Sequence, residues 1–548
     1  MPLPPPLRSP GPPSLERGLW VLGLLACMAW RLLQARRFAG WEESDYGNLA
    51  MIQGVLDGGF AHYDMNHMPG YYALGAAVLA VVGDAVLAGK VVSMTGGVAA
   101  WALAVSLSRR FFGGPVAVIT GFLLIFQPEF ALYTSSQLRE PLYVAYLLAC
   151  LTALINEKLG WAGIFAALAF TVRFDAMFVL PPLLLLGGRA AGPGLGWLRW
   201  SKLLLPLPAA ILAWSAYCGM EHGTWAFWSH SVAVNVETGG AGEGSGAAWL
   251  QGGLAVVAGL GGHLLPWRIG WAVWLGLGWT FLRSARGALH VATRRGRWMR
   301  PGPELLWPAM GALMLGFWLA VGFTGQHDPS HNLYWKWMLP LVPVLVPLGV
   351  AGLWAVAAAV GARWGRPLTA AIVGIGVLQA MFSEINETER QVLRSQAWYR
   401  PQVELAQWIE ANIPEDQAMF LDNIPACYIR RRPQERTLIS WYDVELGAPG
   451  DLAALATALR ADGVRYVLWF REDWTQAPRV APALAAGGEL RAGGLRLIER
   501  SREDGYGWIF YQVVEDGAPD DLPAPLPSMP PAVAAWRRLE AAAAAEEN

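Results

Sequence analysis

The stretch WEESDYGNLAMIQG places Glu42, Glu43 and Asp45 within four positions, directly after an apolar run. A positioned carboxylate can take a proton from an attacking hydroxyl, and acids at the edge of a membrane span are costly unless they face water, a partner or a substrate. Ionisable groups recur at the ends of three further apolar runs. The loop 38–69 closes with Asp64, His67 and Pro69, YTSSQLREPLYVAY carries Arg139 and Glu140, and AFTVRFDAMFVLPP carries Arg173 and Asp175. A fifth stretch, GQHDPSHNLYWKWMLP, adds Lys336 at the head of a run. Cations at 139, 173 and 336 suit an anionic headgroup or the charge that develops on a leaving phosphate. His327, Asp328 and His331 have a spacing that metals use, but Pro329 prevents one helix from presenting both histidines. A divalent metal is therefore the weak alternative, and no cofactor is implied.

Each group also has a plainer reading. Ser44 or Asp45 can cap a short helix marked by Tyr46, Leu49, Ile52 or Gln53, and Leu56, whose positive N-terminus favours nearby acids. Glu42 and Glu43 lie before that cap, where a helix needs at most one acid. His67 before Met68-Pro69 can be turn chemistry, and Lys336 can snorkel. Arg139 and Glu140 are adjacent, so on a helix they point to different faces and are not expected simply to neutralise each other.

The elements that must position these groups are set by composition. The chain has 548 residues, 54% hydrophobic and only 15% charged, against about 25% charged in soluble proteins. Its 29 tryptophans lie mostly in or beside the apolar runs, as an interfacial belt would place them. A net charge of −1 excludes nucleic-acid binding by bulk electrostatics. Cys27, Cys150, Cys218 and Cys427 have no CxxC spacing and read as small buried thiols. There is no Walker loop, no GxGxxG after a strand and no GxSxG elbow, so nothing points to ATP or a soluble nucleotide donor.

Apolar runs near 18–37, 70–86, 89–108, 115–132, 141–156, 160–173, 175–188, 202–219, 249–265, 267–283, 303–323, 336–359 and 367–382 imply a polytopic α-helical membrane protein of about 11–13 spans. Residues 1–17 read as a disordered Pro-rich tail and 18–390 as the membrane domain. The first run reads as an uncleaved anchor, since Arg36 and Arg37 follow it with no small-residue cleavage site. The basic loops 281–300 and 361–367 are expected inside, which puts the loop 38–69 and everything after Met381 outside. Arg109 and Arg110 fit this only if 70–86 does not cross fully or 249–265 lies flat. Residues 395–515 read as a small extracytoplasmic α/β domain: a helix over VELAQWIEAN, a helix stopped at Gly463 before a strand, and a hairpin turning at Asp504-Gly505. The Pro/Ala-rich tail is 516–548.

The pattern resembles the GT-C superfamily of glycosyltransferases that use polyprenyl-phosphate sugars, near the protein O-mannosyltransferase and aminoarabinose transferase branch. The family's acidic Asp-Glu-x-x-Tyr pair is matched by Glu42-Glu43-Ser44-Asp45-Tyr46, and its Lys/His-x-Pro segment before tyrosines by His67-Met68-Pro69-Gly70-Tyr71-Tyr72. The second acid before Pro-Leu is matched by Glu140-Pro141-Leu142, and the late Arg-Tyr-x-x-Pro by Lys336-Trp337-Met338-Leu339-Pro340. Glu stands for Asp at both acids and Lys for Arg at the late motif.

The resemblance implies an enzyme of the bacterial inner (plasma) membrane that moves a sugar from a polyprenyl-phosphate donor to an unknown hydroxyl acceptor on a protein, lipid or glycan. It implies an inverting single displacement. Glu42, Glu43, Asp45 and Glu140 are its candidate catalytic acids, with the base either Glu42 or Asp45. Tyr46, Asp64, His67, Arg139, Arg173, Asp175 and Lys336 are candidates for substrate binding. The partners are the lipid-linked sugar, the acceptor and the bilayer. The rival readings are a transporter or flippase, whose charges would line a path, and a non-catalytic membrane scaffold.

Overall fold

A computed structural model describes residues 13–40, 43–60, 67–191, 196–227, 306–323, 339–364, 366–421, 438–440, 452–470, 482–503 and 508–517, together with 278, 425 and 428–431. The chain divides into two compact units. The first comprises Met1–Arg36, Gly59–Val81 and Leu87–Gln391, and the second Arg37–Gly58, Val82–Val86 and Val392–Asn548.

The helices of the N-terminal part are α1 (Pro13–Arg37), α2 (Glu43–Gly58), α3 (Pro69–Val82), α4 (Ala85–Phe112), α5 (Gly114–Phe126), α6 (Pro128–Tyr133), α7 (Glu140–Ile155), α8 (Leu159–Val172), α9 (Ala176–Ala191), α10 (Trp197–Leu204) and α11 (Pro206–Glu221). After them come α12 (Leu306–Phe323), α13 (Val342–Trp364) and α14 (Arg366–Asn412). Prolines sit in the first turns of α5, α6, α7 and α11, where the missing N–H is no loss.

Among the described residues three helices are long and apolar enough to cross a membrane, Gly18–Arg37, Ala85–Phe112 and Leu339–Ala359. The pair α10 and α11, bent by 43°, makes a fourth if it is one span. Fewer complete crossings are present here than the sequence leads one to expect. Helices α3, α5, α7, α8 and α9 have 13 to 16 residues, which at 1.5 Å each reach only about 20–24 Å, short of a ~30 Å hydrocarbon core. The expected runs 249–265 and 267–283 lie outside the described residues, apart from 278. Val81, Leu212, Ile375 and Phe382 are exposed.

Two features stiffen the first unit. Arg31, fully buried in α1, donates to the carbonyls of Ile125 (2.8 Å) and Leu124 (3.1 Å), satisfying the last turn of α5. Lys90 Nζ does the same for Ala35 O near the end of α1, at 2.6 Å. The glycines of α4 let neighbours approach closely. A Cβ on Gly96 would lie 2.6 Å from Leu142 N, and one on Gly97 2.3 Å from Thr134 Cγ2.

In the second unit, helix α15 (Leu452–Ala461) and strands β1 (Ala418–Leu421), β2 (Leu438–Ser440), β3 (Val464–Phe470), β4 (Glu489–Ala492), β5 (Leu495–Glu503) and β6 (Trp508–Glu515) build one six-stranded sheet. Its order is β2-β1-β3-β6-β5-β4, parallel among β1–β3 and antiparallel beyond. Phe420, Leu455, Leu459, Val467, Trp469, Ile509 and Tyr511 form its core. The expected hairpin is β5–β6; its turn, 504–507, lies outside the described residues, as does the tail from 518. Gly463, at φ 61°, ends α15. The helix expected over VELAQWIEAN does not stand alone, because it is the end of α14, which runs unbroken for 47 residues through Pro401.

Candidate functional site

Helices α7 and α8 are joined by only Asn156, Glu157 and Lys158, so they return antiparallel. That return brings the start of α7 beside the end of α8. Glu140 is the first residue of α7, where the helix N-terminus favours an acid. Arg173 closes α8 in an extended conformation. The two meet across 33 residues of sequence, with Arg173 Nη1 donating to Glu140 Oε1 at 2.7 Å. Two residues on, Asp175 Oδ1 accepts from Arg173 Nε at 3.0 Å. Glu140, Arg173 and Asp175 are 1%, 4% and 2% exposed, so this is a desolvated ion triad. Tyr143, one turn along α7, lies under the guanidinium at 5.5 Å and beside Asp175.

Arg139 stands just before α7 as its N-cap, and its Nε is 3.7 Å from Glu140 Oε1. The adjacent pair therefore comes within ion-pair distance, contrary to the expectation that the two would face apart, although Arg139 has helical dihedrals. At 19% exposure it is the most accessible cation of the cluster. The mouth of α3 belongs to the same unit. A Cβ on Gly70 would meet Thr171 Oγ1 at 2.5 Å and Thr171 O at 2.8 Å, so the His67-Met68-Pro69-Gly70 segment packs against the turn that delivers Arg173. His67 meets Tyr72 edge-on, with ring centroids 5.9 Å apart.

Neither a protein-family model nor a curated protein sequence matches the chain. Solved structures do. ArnT from Cupriavidus metallidurans bound to undecaprenyl phosphate superposes over 90% of this chain and 98% of its own, with TM-score 0.56 and 12% identity. The same protein in the apo state gives 0.55 over the same shares, also at 12% identity. The chain shares the fold of this ArnT. An oligosaccharyltransferase from Archaeoglobus fulgidus, in complex with Zn and sulfate, gives 0.47 at 13% identity over 82% of this chain and 67% of that one.

The remaining candidates fall elsewhere or outside the described residues. Glu42, Asp64, His327, Asp328, His331 and Lys336 lie outside the described residues, as does Cys427. Helix α2 begins at Glu43, so Glu43 opens the first turn and Ser44 and Asp45 lie within it. Ser44 and Asp45, expected as the cap, therefore lie inside the helix. Tyr46 is 1% exposed and its hydroxyl donates to Ala39 O at 2.7 Å, between the rings of Tyr399 and Tyr428. Leu49 and Ile52 are buried on the same face as expected, whereas Leu56 is exposed. Among the described residues no group of three or more His, Cys, Asp or Glu is arranged to hold a metal.

Two buried polar groups escaped the sequence reading. Tyr143 had a signal, since three residues after Glu140 is the same helix face. Glu384, on α14 beyond its apolar part, is buried near the like charge of Glu129; nothing in the local sequence pairs residues so far apart.

Proposed function

We propose that the chain is a membrane glycosyltransferase that moves a sugar from a polyprenyl-phosphate donor to an acceptor hydroxyl, with its site on the extracytoplasmic side. The observation that carries this reading is the superposition over 90% of the chain on a protein whose structure holds undecaprenyl phosphate. The buried ion triad at the mouth of α7 supports it. The reading places the donor's prenyl chain along the apolar helices and its phosphate at their ends. It places the second unit, with its α/β sheet, outside the cytoplasm.

The chemistry then divides among the chain's own residues. As the acceptor oxygen attacks the anomeric carbon, its proton passes to a carboxylate. Glu140 is engaged with Arg173 at 2.7 Å, so we assign the base to one of Glu42, Glu43 and Asp45. As the sugar–phosphate bond breaks, the polyprenyl phosphate gains charge, which Arg139, Arg173 and Lys336 offset. Glu140 and Asp175 hold the Arg173 fork in one orientation, so no reorganisation is needed when charge develops. One displacement without a covalent intermediate inverts the anomeric centre.

The test is transfer of label from a panel of polyprenyl-phosphate sugars by purified protein with a membrane extract as acceptor. Loss of a general base costs about 10²–10⁴-fold, so at least one of Glu42→Gln, Glu43→Gln and Asp45→Asn should fall by that factor. Full activity in all three, and in the combined variant, overturns the acid–base assignment.

A further inference from the structure

Cations gather at the end of the first unit that lies away from the ion triad. Helix α4 enters beside the mouth of α7, where a Cβ on Gly89 would lie 2.8 Å from Gln137 Cβ and Tyr71 donates to Gly89 O at 3.2 Å. It leaves at the far end of α7, where Arg110 donates to Asn156 Oδ1 and, at 3.3 Å, to Ile155 O. Arg109 precedes it in the last turn of α4, and Lys158 closes the α7–α8 connection. Helix α9 ends at the same place: a Cβ on Gly187 would lie 2.6 Å from Leu154 Cδ2, and Arg189 follows in its last turn. Helix α10 crosses the group. A Cβ on Gly163 would lie 2.5 Å from Lys202 O, and one on Gly188 2.5 Å from the Trp200 ring. Arg109, Arg110, Lys158, Arg189, Arg199 and Lys202 are all exposed, and the α7–α8 connection adds one acid, Glu157. All belong to one compact unit. The 16 residues of α7 put about 24 Å between this end and Glu140.

Helix α10 has two unlike faces. Leu203 is fully buried against α8, whereas Trp197 and Leu198 are 79% and 64% exposed and Leu205 follows them on the surface. Arg199 and Lys202 stand among these apolar groups. Trp161, on the turn of α8 that α10 crosses, is exposed as well. Tryptophan and leucine interleaved with cations is the composition of a helix lying in a bilayer interface, with rings at headgroup depth and charges reaching the phosphates. Pro206 then turns the chain by 43° into α11, as a change from an interfacial to a crossing direction requires.

We propose that this end of the unit is a docking surface for anionic phospholipid headgroups of the cytoplasmic leaflet, with α10 lying in the interface. The proposal rests on the reading above for the bilayer and goes beyond it by assigning the face opposite the transfer site. Charge selects the partner, since a net negative headgroup answers these cations and a zwitterionic one cancels its own phosphate. Clustered Lys and Arg at span ends stay inside, so the Glu140–Arg173 end faces outward. Arg109 and Arg110 then need no exception, because α4 begins at the level of the α7 mouth and α3 makes no crossing before it.

The experiment titrates phosphatidylglycerol or phosphatidylcholine into the full chain in detergent micelles and reads bound lipid by native mass spectrometry. Each Lys or Arg near an anionic surface contributes about fivefold. The double variant Arg199→Gln, Lys202→Gln should therefore raise the apparent Kd for phosphatidylglycerol by about 25-fold and leave phosphatidylcholine unchanged. Exchanging the two as Arg199→Lys, Lys202→Arg should bind as the wild type does, which separates lost charge from misfolding. Arg460→Gln with Arg491→Gln removes equal charge from the second unit and should change nothing. Sidedness is read with Glu157→Cys in a Cys427→Ser background, where Cys27, Cys150 and Cys218 are buried. An impermeant maleimide should label it in inside-out vesicles and not in right-side-out ones.

An unchanged Kd in the α10 double variant overturns the proposal, as does an equal loss in the second-unit variant or equal affinity for the two lipids. Labelling of Glu157→Cys in right-side-out vesicles also overturns it. None of these readouts needs sugar transfer, so a chain that prefers phosphatidylglycerol yet transfers no sugar sinks the transferase reading alone.

Discussion

Replacing Arg173 by Met removes the cation that bridges Glu140 at 2.7 Å and Asp175 at 3.0 Å, and leaves two carboxylates that are at most 3% exposed. Breaking a buried ion pair from one side costs about 3–5 kcal/mol, because the orphaned charge stays desolvated. Arg139 lies 3.7 Å from Glu140 and is 19% exposed, so it offsets part of the loss at Glu140. The contact of the guanidinium with the Tyr143 ring, worth about 0.5–2 kcal/mol, is lost as well. A value near 4 kcal/mol follows, about a thousandfold in the folding equilibrium. The decisive control is the triple variant Arg173→Met, Glu140→Gln, Asp175→Asn. Buried charge networks replaced whole by neutral groups of similar volume are often neutral in stability, so the triple should return to within about 1 kcal/mol of the wild type. Stability is read by titrating dodecylmaltoside micelles with SDS and following tryptophan fluorescence. A single variant as stable as the wild type, or a triple no better than the single, refutes the reasoning.

Gly96→Ala drives a Cβ to 2.6 Å from the backbone N of Leu142 and 2.8 Å from the carbonyl carbon of Pro141; overpacking of this kind costs about 1–3 kcal/mol, and the same SDS titration should detect it. Arg431 binds Glu410 through both Nη atoms at 2.9 and 3.0 Å and stacks 3.8 Å over Tyr428. Lys supplies neither the fork nor the plane, so Arg431→Lys should lose about 1–3 kcal/mol, read as earlier proteolysis of the second unit, and wild-type resistance would contradict this. Neither oxygen of Glu384 has a hydrogen-bond partner among the described residues, and Glu129 adds like charge nearby. Glu384→Gln should therefore hold or raise the thermal midpoint, and a fall of more than 5 °C would show that the carboxylate has a favourable partner.

Much of the second unit was legible because its signals are local. Asp504-Gly505 between two strand-like runs points to β5–β6, and Gly463 between an amphipathic helix and a run rich in β-branched and aromatic residues gives the α15–β3 step. The mouths of α3 and α7 were marked by Pro69 and Pro141, and the charged residues that meet around Arg173 were marked by their places at the ends of apolar runs, whereas Tyr143 was not. What the sequence could not give was their pairing. Arg173 reaches Glu140 only because α7 and α8 return on each other, and Ser395 reaches Gly40 across 355 residues. The unbroken α14 was also hidden. Its polar middle, SEINETERQVLRSQAWYRPQ, looks like a linker, yet pairs such as Gln391–Glu387 and Arg400–Glu404 at i,i+4 support a helix there. The short helices read as full spans because apolar runs do not reveal where a proline or a break such as Gln127 ends each helix.

The central proposal is that this chain moves a sugar rather than a lipid. The direct measurement reconstitutes the purified chain in sealed vesicles whose outer leaflet carries a polyprenyl-phosphate sugar labelled in the sugar, with membrane extract added as acceptor. The account predicts that label leaves the polyprenyl lipid for the acceptor, with inversion at the anomeric carbon. Label that crosses to the inner leaflet still attached to its polyprenyl phosphate, with none transferred, would contradict it.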